Sequence, residues 1–229
     1  MTNASRGLIA VGIVAAVAAG ACADNLALNP GFEVDGKIVD ISGSGEHASN
    51  WNDIVYDQTG GWVGTSTGGG RSGYGLTQNS GYDNTDDTVD VLWQTIEITA
   101  GWTVDVSAWA NAGRAAHLGD SIIAVWNTAS AFTVTSSNYD TYDYASGDVA
   151  DQGVGTWYQL TIPSFTSSGY VTIASITDGY GYNSVSERVE GPATNFDDWS
   201  VTAVPEPATM ALLVIGGAAL LKRRQLSRG

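Results

Sequence analysis

The stretch that decides the fold class is WTVDVSAWA, residues 102–110. Every second residue from Trp102 to Ala108 is apolar, whereas the residues between them, up to Trp109, are mostly polar. A period of two is the pattern of a β-strand with one buried and one exposed face. We therefore predict a half-buried strand here, with Trp102 on the core side and Trp109 on the polar side.

Five further runs rich in β-branched and aromatic residues predict similar strands. They are residues 88–98, 120–127, 156–162, 169–177 and 194–202. Clusters of Gly, Asn, Asp and Ser separate them, and three longer stretches, 41–50, 60–75 and 139–155, are predicted as loops. Because no helical period occurs between these runs, residues 24–203 are predicted to form one all-β domain, a jelly-roll β-sandwich.

The first 23 residues predict a signal peptide in helical form. Arg6 precedes an apolar run over residues 8–21, and small residues lead to a polar start at Asp24. The alternative is a buried helix of the domain, which the absence of any amphipathic period disfavours. Cys22, the only cysteine, leaves open a second alternative, a lipoprotein acylated at this residue.

The last 26 residues, 204–229, predict a membrane-directed segment. An apolar run of 14 residues, 208–221, would span about 21 Å as a single helix, less than the ~30 Å hydrocarbon core. The basic residues after it should stay in the cytoplasm, which puts the β domain outside. The flanking residues are Pro205, Glu206 and Pro207 before the run, and Lys222, Arg223 and Arg224 after it.

This combination of Pro-Glu-Pro, a short hydrophobic helix and a basic tail resembles the PEP-CTERM sorting signal. The resemblance implies processing by an exosortase, a membrane enzyme that cleaves near the motif. It also implies a Gram-negative bacterium that makes exopolysaccharide or biofilm matrix. The precursor would be anchored in the inner membrane, and the mature chain would reach the cell surface or the extracellular matrix.

The charge of the exported part narrows its partners. Between residues 24 and 204 there are 4 basic and 23 acidic residues, a formal charge of −19. Nucleic acids and anionic membrane surfaces need Lys and Arg to neutralise phosphates, so both are disfavoured. Calcium and neutral or cationic sugars remain compatible with this charge.

Catalytic machinery is sparse in the sequence, which predicts no enzymatic activity. Only His47 and His117 titrate near neutral pH without a large shift, and both lie in ordinary polar contexts. No nucleophile elbow, zinc motif or phosphate-binding loop is present. A glycoside hydrolase with two carboxylates stays as a less favoured alternative.

Six short motifs, in order, resemble carbohydrate-binding modules of the galactose-binding-like jelly-roll superfamily. They are NPGFE at 29–33, GYGL at 73–76, LWQTI at 92–96, VSAWA at 106–110, TWYQL at 156–160 and FDDWSV at 196–201. The resemblance implies a structural calcium where the two chain ends meet, with Glu33 and either Asp198 or Asp197 as side-chain ligands. The alternative is that Glu33 is a turn carboxylate and that Asp197 lies at an exposed edge.

Aromatic residues on polar faces and in loops are the candidates for sugar binding, since sugar rings stack their C–H faces on aromatic rings. Strand alternation predicts that Trp109 and Trp157 point away from the core, and Tyr142 and Tyr180 lie in Asp- or Gly-rich loops. A tryptophan on a polar face is either packed under a loop, which is the favoured interpretation of both positions, or exposed to a ligand.

These observations predict an exported, non-catalytic protein that binds polysaccharide or associates with a biofilm matrix. The main alternative is a structural surface protein or adhesin that binds another protein without recognising sugar.

Overall fold

The computed structural model describes residues 24–32, 50–56, 63–71, 74–80, 89–112, 120–149, 154–178, 181–183, 188–190 and 193–206. Twelve strands lie within these ranges. They are β1 Asn52–Tyr56, β2 Val63–Gly69, β3 Tyr74–Ser80, β4 Val89–Glu97, β5 Trp102–Ala112, β6 Asp120–Thr128, β7 Tyr144–Ala145, β8 Trp157–Thr166, β9 Tyr170–Asp178, β10 Gly181–Asn183, β11 Arg188–Glu190 and β12 Ala193–Pro205.

Ten of these strands form two five-stranded sheets. Sheet A has the order β1-β4-β9-β6-β7 and sheet B the order β2-β3-β12-β5-β8, while β10 and β11 form a separate hairpin. Neighbouring strands are antiparallel throughout. One hydrophobic core joins the sheets, with Leu92 and Ile173 from sheet A and Val106 and Phe196 from sheet B among its buried members. The predicted all-β sandwich of two layers is therefore confirmed.

The alternating runs identified the central strands correctly. The stretch 102–110 lies in β5, where the residues from Val104 to Ala110 alternate between buried and more exposed positions. The other five predicted runs coincide with β4, β6, β8, β9 and β12.

The prediction of a loop over residues 60–75 was wrong. Residues 63–69 form β2, and β3 begins at Tyr74, so this region is an edge hairpin of sheet B. The sequence GTSTGG in β2 lacks the apolar alternation that marks a half-buried strand. Residues 63–69 form a strand through their backbone pairing with β3, which the pattern of residue types in this stretch does not indicate. The predicted loop 41–50 lies almost entirely outside the described residues.

Sheet A is covered on its outer face as well. A second cluster there includes Val91, Trp93, Trp126 and Ile176, and Phe132 packs against it. Phe132 belongs to the segment 131–142, which has no strand of its own and lies over the sheet. This covering explains why β4, β6 and β9 are buried on both faces.

The two ends of the described chain meet at β12. The backbone N–H of Leu26 donates to the carbonyl of Val201 at 2.8 Å, and that of Trp199 donates to Pro30 at 3.0 Å. Here the register between β12 and β5 shifts between Asp197 and Ser200, a β-bulge. The bulge turns Trp199 into the core, where it is 1% exposed.

The predicted signal helix at residues 1–23 and the membrane helix at 208–221 lie outside the described residues. Within the described part, no helix has the length and apolar character needed to cross a membrane.

Candidate functional site

The outer face of sheet B combines polar residues with tryptophan. On β5 the side chains between the buried positions point to this face, and Trp109 among them is half-buried. Trp109 lies directly opposite Asp197 on β12 and Gln159 on β8. Residues directly opposite one another in an antiparallel pair share a face. The structure therefore sets Trp109 between an acidic residue and an amide.

Trp157 is on the same face as Trp109. It is half-buried and lies opposite Asn111, two positions along β8 from Gln159. Trp109 and Trp157 are thus diagonal neighbours on adjacent strands, a spacing within reach of aromatic side chains. The two tryptophans predicted to point away from the core are brought together.

Asn111 adds an unusual polar atom to this pair. Its side chain is 7% exposed, and its Oδ1 has no hydrogen-bond partner among the described residues. A buried acceptor without a partner costs free energy, about 1–3 kcal/mol. Asn111 therefore holds a buried acceptor without a described partner, directly opposite Trp157.

Arg71 lies over Trp109. Its guanidinium carbon is 3.9 Å from the ring centroid, and the same guanidinium forms an ion pair of 2.9 Å with Asp198. The ion pair is partly exposed, with Arg71 at 43% and Asp198 at 35%. A sugar that stacks on this face of Trp109 must displace Arg71, whereas no ring or cation contact of Trp157 occurs among the described residues. Trp157 is consequently the better stacking surface.

The sequence prediction did not include Arg71. The residue stands in a Gly-rich stretch, GGGRSG, and only long-range pairing brings it over β5. One signal was available, because Arg71 is one of only four basic residues between positions 24 and 204. A lone cation in so acidic a domain has many possible carboxylate partners, so the signal could not identify Asp198.

Asp197 and Asp198 are already engaged in this structure. Asp197 is fully buried, and its two carboxylate oxygens accept the backbone N–H groups of Arg71 and Asp198, each at 2.7 Å. Asp198 faces the Arg71 guanidinium. The predicted location of Asp197 at an exposed edge, the alternative to calcium binding, therefore does not hold.

In this structure Asp197 and Asp198, two of the candidate calcium ligands, are held in other contacts. Calcium takes six to eight oxygens, and a guanidinium beside the site repels a cation. No group of three His, Cys, Asp or Glu side chains suited to a metal occurs in the part of the chain that the structure describes. Glu33, the third predicted ligand, lies outside that part, so calcium binding stays a prediction.

The two tyrosine candidates have different outcomes. Tyr142 is 37% exposed, but it packs edge-on against Trp126, with ring centroids 6.2 Å apart, on the outer side of sheet A. It therefore does not lie on the face that carries Trp109 and Trp157. Tyr180 lies outside the described residues, as do His47 and His117.

The predicted sorting motif begins inside sheet B. Pro205 ends β12 and lies opposite Trp102 on β5, and the Glu206 carboxylate accepts a hydrogen bond of 3.4 Å from the hydroxyl of Thr166. Pro207, Lys222, Arg223 and Arg224 lie outside the described residues.

Comparison with protein families matches residues 203–225 to the PEP-CTERM protein-sorting motif. The chain therefore carries this motif at the position that its sequence predicted. No curated protein matches the chain.

Several solved structures resemble this one. The enzymatically active domain of tailspike protein 4 from bacteriophage CBA120 is 12% identical, with a TM-score of 0.48, over 79% of this chain and 21% of that one. This chain thus spans about a fifth of the tailspike domain's length. The K1 adhesin domain of Lys-gingipain from Porphyromonas gingivalis is 15% identical, with a TM-score of 0.44, over 77% and 96% of the two chains.

A family 11 carbohydrate-binding module from Clostridium thermocellum, solved with a β-1,3-1,4-mixed-linked tetrasaccharide, is also similar. The identity is 11% and the TM-score 0.41, and the match covers 74% of this chain and 96% of the module. The expected resemblance to carbohydrate-binding modules is found. Likeness at this level of identity and TM-score does not decide what this chain binds.

Proposed function

We propose that this chain is an exported cell-surface protein whose β-sandwich binds a polysaccharide on the outer face of sheet B without cleaving it. The PEP-CTERM motif implies export and processing by an exosortase. The further expectations of a Gram-negative cell, a transient inner-membrane anchor and an exopolysaccharide or biofilm ligand belong to the same proposal.

One observation carries the binding part of the proposal. Trp109 and Trp157 are half-buried diagonal neighbours on a polar sheet face, and the polar residues Gln159 and Asn111 lie directly opposite them. A sugar ring requires an aromatic face on which its C–H groups stack and, beside that face, polar groups that hydrogen-bond its hydroxyls. Trp157 would supply the stacking face, and the exposed Gln159 would accept and donate hydrogen bonds.

The carboxylates of this face support binding over hydrolysis. Asp105 accepts a hydrogen bond from Ser164, Asp197 accepts two backbone N–H groups, and Asp198 pairs with Arg71. A glycosidase needs one carboxyl group free to donate a proton and a second to attack or activate water. Carboxylates held in these contacts are poorly suited to either role.

A glycan array probed with the exported chain tests the proposal. Wild-type protein should bind a polysaccharide, and binding should survive high salt because stacking does not depend on charge. Trp157→Ala should lose binding while it keeps the wild-type circular dichroism spectrum. The matched control is Tyr142→Ala, which removes a partly exposed aromatic ring from the other sheet and should bind normally.

Two results would count against the proposal. Equal binding by Trp157→Ala and wild type would move the site away from this face. Binding to no glycan by the folded wild-type protein would favour the rival function, an adhesin that recognises protein.

A further inference from the structure

The sorting motif is continuous with a central strand of the folded domain. In sheet B, β12 pairs with β3 at residues 193–196, and its pairing with β5 extends through Val204, opposite Thr103, to Pro205, opposite Trp102. Glu206, the next residue, accepts a hydrogen bond from Thr166 on β8. The domain and the first two residues of the motif are therefore one structure, with no linker between them.

The remaining distance to the predicted membrane segment is short. That segment begins at Ala208, three residues after Pro205. Three fully extended residues span at most about 10–11 Å. In the anchored precursor, the end of β12 would thus lie close to the membrane surface, which is where a membrane-embedded processing enzyme works.

A paired strand is a poor substrate for such an enzyme. Enzymes that bind extended peptides use the backbone N–H and C=O groups of the peptide, and at residues 204 and 205 one side of the β12 backbone is paired with β5. The strand cannot leave the sheet as a whole, because Trp199, Val201 and Ala203 are buried in the core. The C-terminal end of β12 is held less firmly, because Val204 is 39% exposed and the ends of strands open at a lower free-energy cost than the core.

We propose that the folded domain controls its own processing, because residues 204–206 must detach from β5 and β8 before the sorting enzyme can cleave at the motif. This inference rests on the proposed function, in which an exosortase processes the chain. Detachment of this short end leaves the core residues of β12 in place, so the domain stays folded during cleavage.

A disulfide that fixes the end of β12 tests the inference. In a Cys22→Ala background, which removes the only native cysteine, Thr103→Cys with Val204→Cys would join directly opposite residues. Opposite Cα atoms in an antiparallel pair are about 4.5–5.5 Å apart, within the range that a disulfide spans. Ser107→Cys with Ser200→Cys is the matched control, because this pair joins the same strands farther from the motif.

The readout is the intact mass of the full-length chain recovered from cells that contain the sorting enzyme, before and after a membrane-impermeant reductant. Thiol alkylation checks that each disulfide has formed. The 103–204 disulfide should leave the precursor uncleaved until it is reduced, whereas the 107–200 disulfide should allow cleavage at the wild-type rate. Cleavage of both oxidised variants, or of neither, would overturn the inference.

A second variant tests the inference without cysteine. Insertion of Gly-Ser-Gly-Ser between Val204 and Pro205 would move the motif away from the sheet and should speed cleavage, and an unchanged or slower rate would contradict detachment as the controlling step. The wild-type precursor separates the two claims. If it is never cleaved, the proposed processing itself fails, whatever the variants do.

Discussion

Arg71 makes three contacts that no local sequence pattern indicates. Its guanidinium covers Trp109 and pairs with Asp198, and its backbone N–H donates to the buried Asp197. Asp198 has a φ of 47°, in the left-handed region that non-glycine residues rarely occupy. The bulge of β12 holds Asp198 in this conformation and thereby aims its carboxylate at Arg71.

Replacement of Arg71 should lower stability modestly. Arg71→Ala removes a cation–π contact worth about 0.5–1 kcal/mol and a partly exposed ion pair worth about 0.2–1 kcal/mol. We expect a loss of about 1 kcal/mol in the free energy of unfolding, measured by urea denaturation. Arg71→Lys, which keeps a positive charge, should lose less. Equal stability of wild type and Arg71→Ala would show that these contacts contribute nothing.

The same residues lead to a prediction about calcium. Because Arg71 already supplies positive charge to Asp198, and Asp197 is bonded to backbone amides, calcium should not raise the midpoint of thermal unfolding. A site filled at 100 times its Kd would add about 2.7 kcal/mol, a readily visible shift. Thermal unfolding in calcium and in chelator measures this. A higher midpoint of thermal unfolding in calcium than in chelator would support the predicted calcium site, for which Glu33, Asp197 and Asp198 are the candidate ligands.

At the scale of elements, the sequence predicted strands with an alternating or continuous apolar pattern and missed β2, whose residues lack one. β5, β9 and β12 have alternating or continuous apolar runs because each lies within a sheet. β2, an edge strand of sheet B, has no such run, whereas β8 at the other edge alternates. The segment 131–142 could be predicted as non-strand, but which sheet face it covers depends on contacts such as the stacking of Phe132 on Trp126.

The glycines of the β2–β3 hairpin have a steric role that can be tested. A Cβ at Gly75 would lie 2.7 Å from the Cα of Gly70, so the backbone would have to move. Gly75→Ala should therefore destabilise the domain by about 1–3 kcal/mol, the usual cost of overpacking. Gly147→Ala is the control, because nothing lies within 4 Å of the added atom.

Urea denaturation of the two glycine variants decides the point. Gly75→Ala should have a lower midpoint than wild type, and Gly147→Ala a near wild-type midpoint. Equal midpoints would mean that the hairpin adjusts without cost.

For the whole molecule, the main distinction is between the outer face of sheet A and the outer face of sheet B. The sequence predicted only the polar character of the sheet B face. Alternation in β5 and β8 placed Trp109 and Trp157 on a polar face correctly. Nothing in the sequence around Tyr142 indicated that its ring would pack on sheet A against Trp126. Local periodicity thus determines which side of its own strand a residue occupies, whereas the partners across that face depend on topology and loop packing.

The central claim is that polysaccharide binds the outer face of sheet B, and oxidative footprinting tests it most directly. The exported wild-type chain is exposed to hydroxyl radicals with and without a polysaccharide identified on the array, and side-chain oxidation is measured by mass spectrometry. Trp157 and Trp109 should be protected by the polysaccharide, while Tyr142 on the other sheet should be oxidised equally in both samples. Protection of Tyr142 with unchanged oxidation of Trp157 and Trp109 would contradict the account.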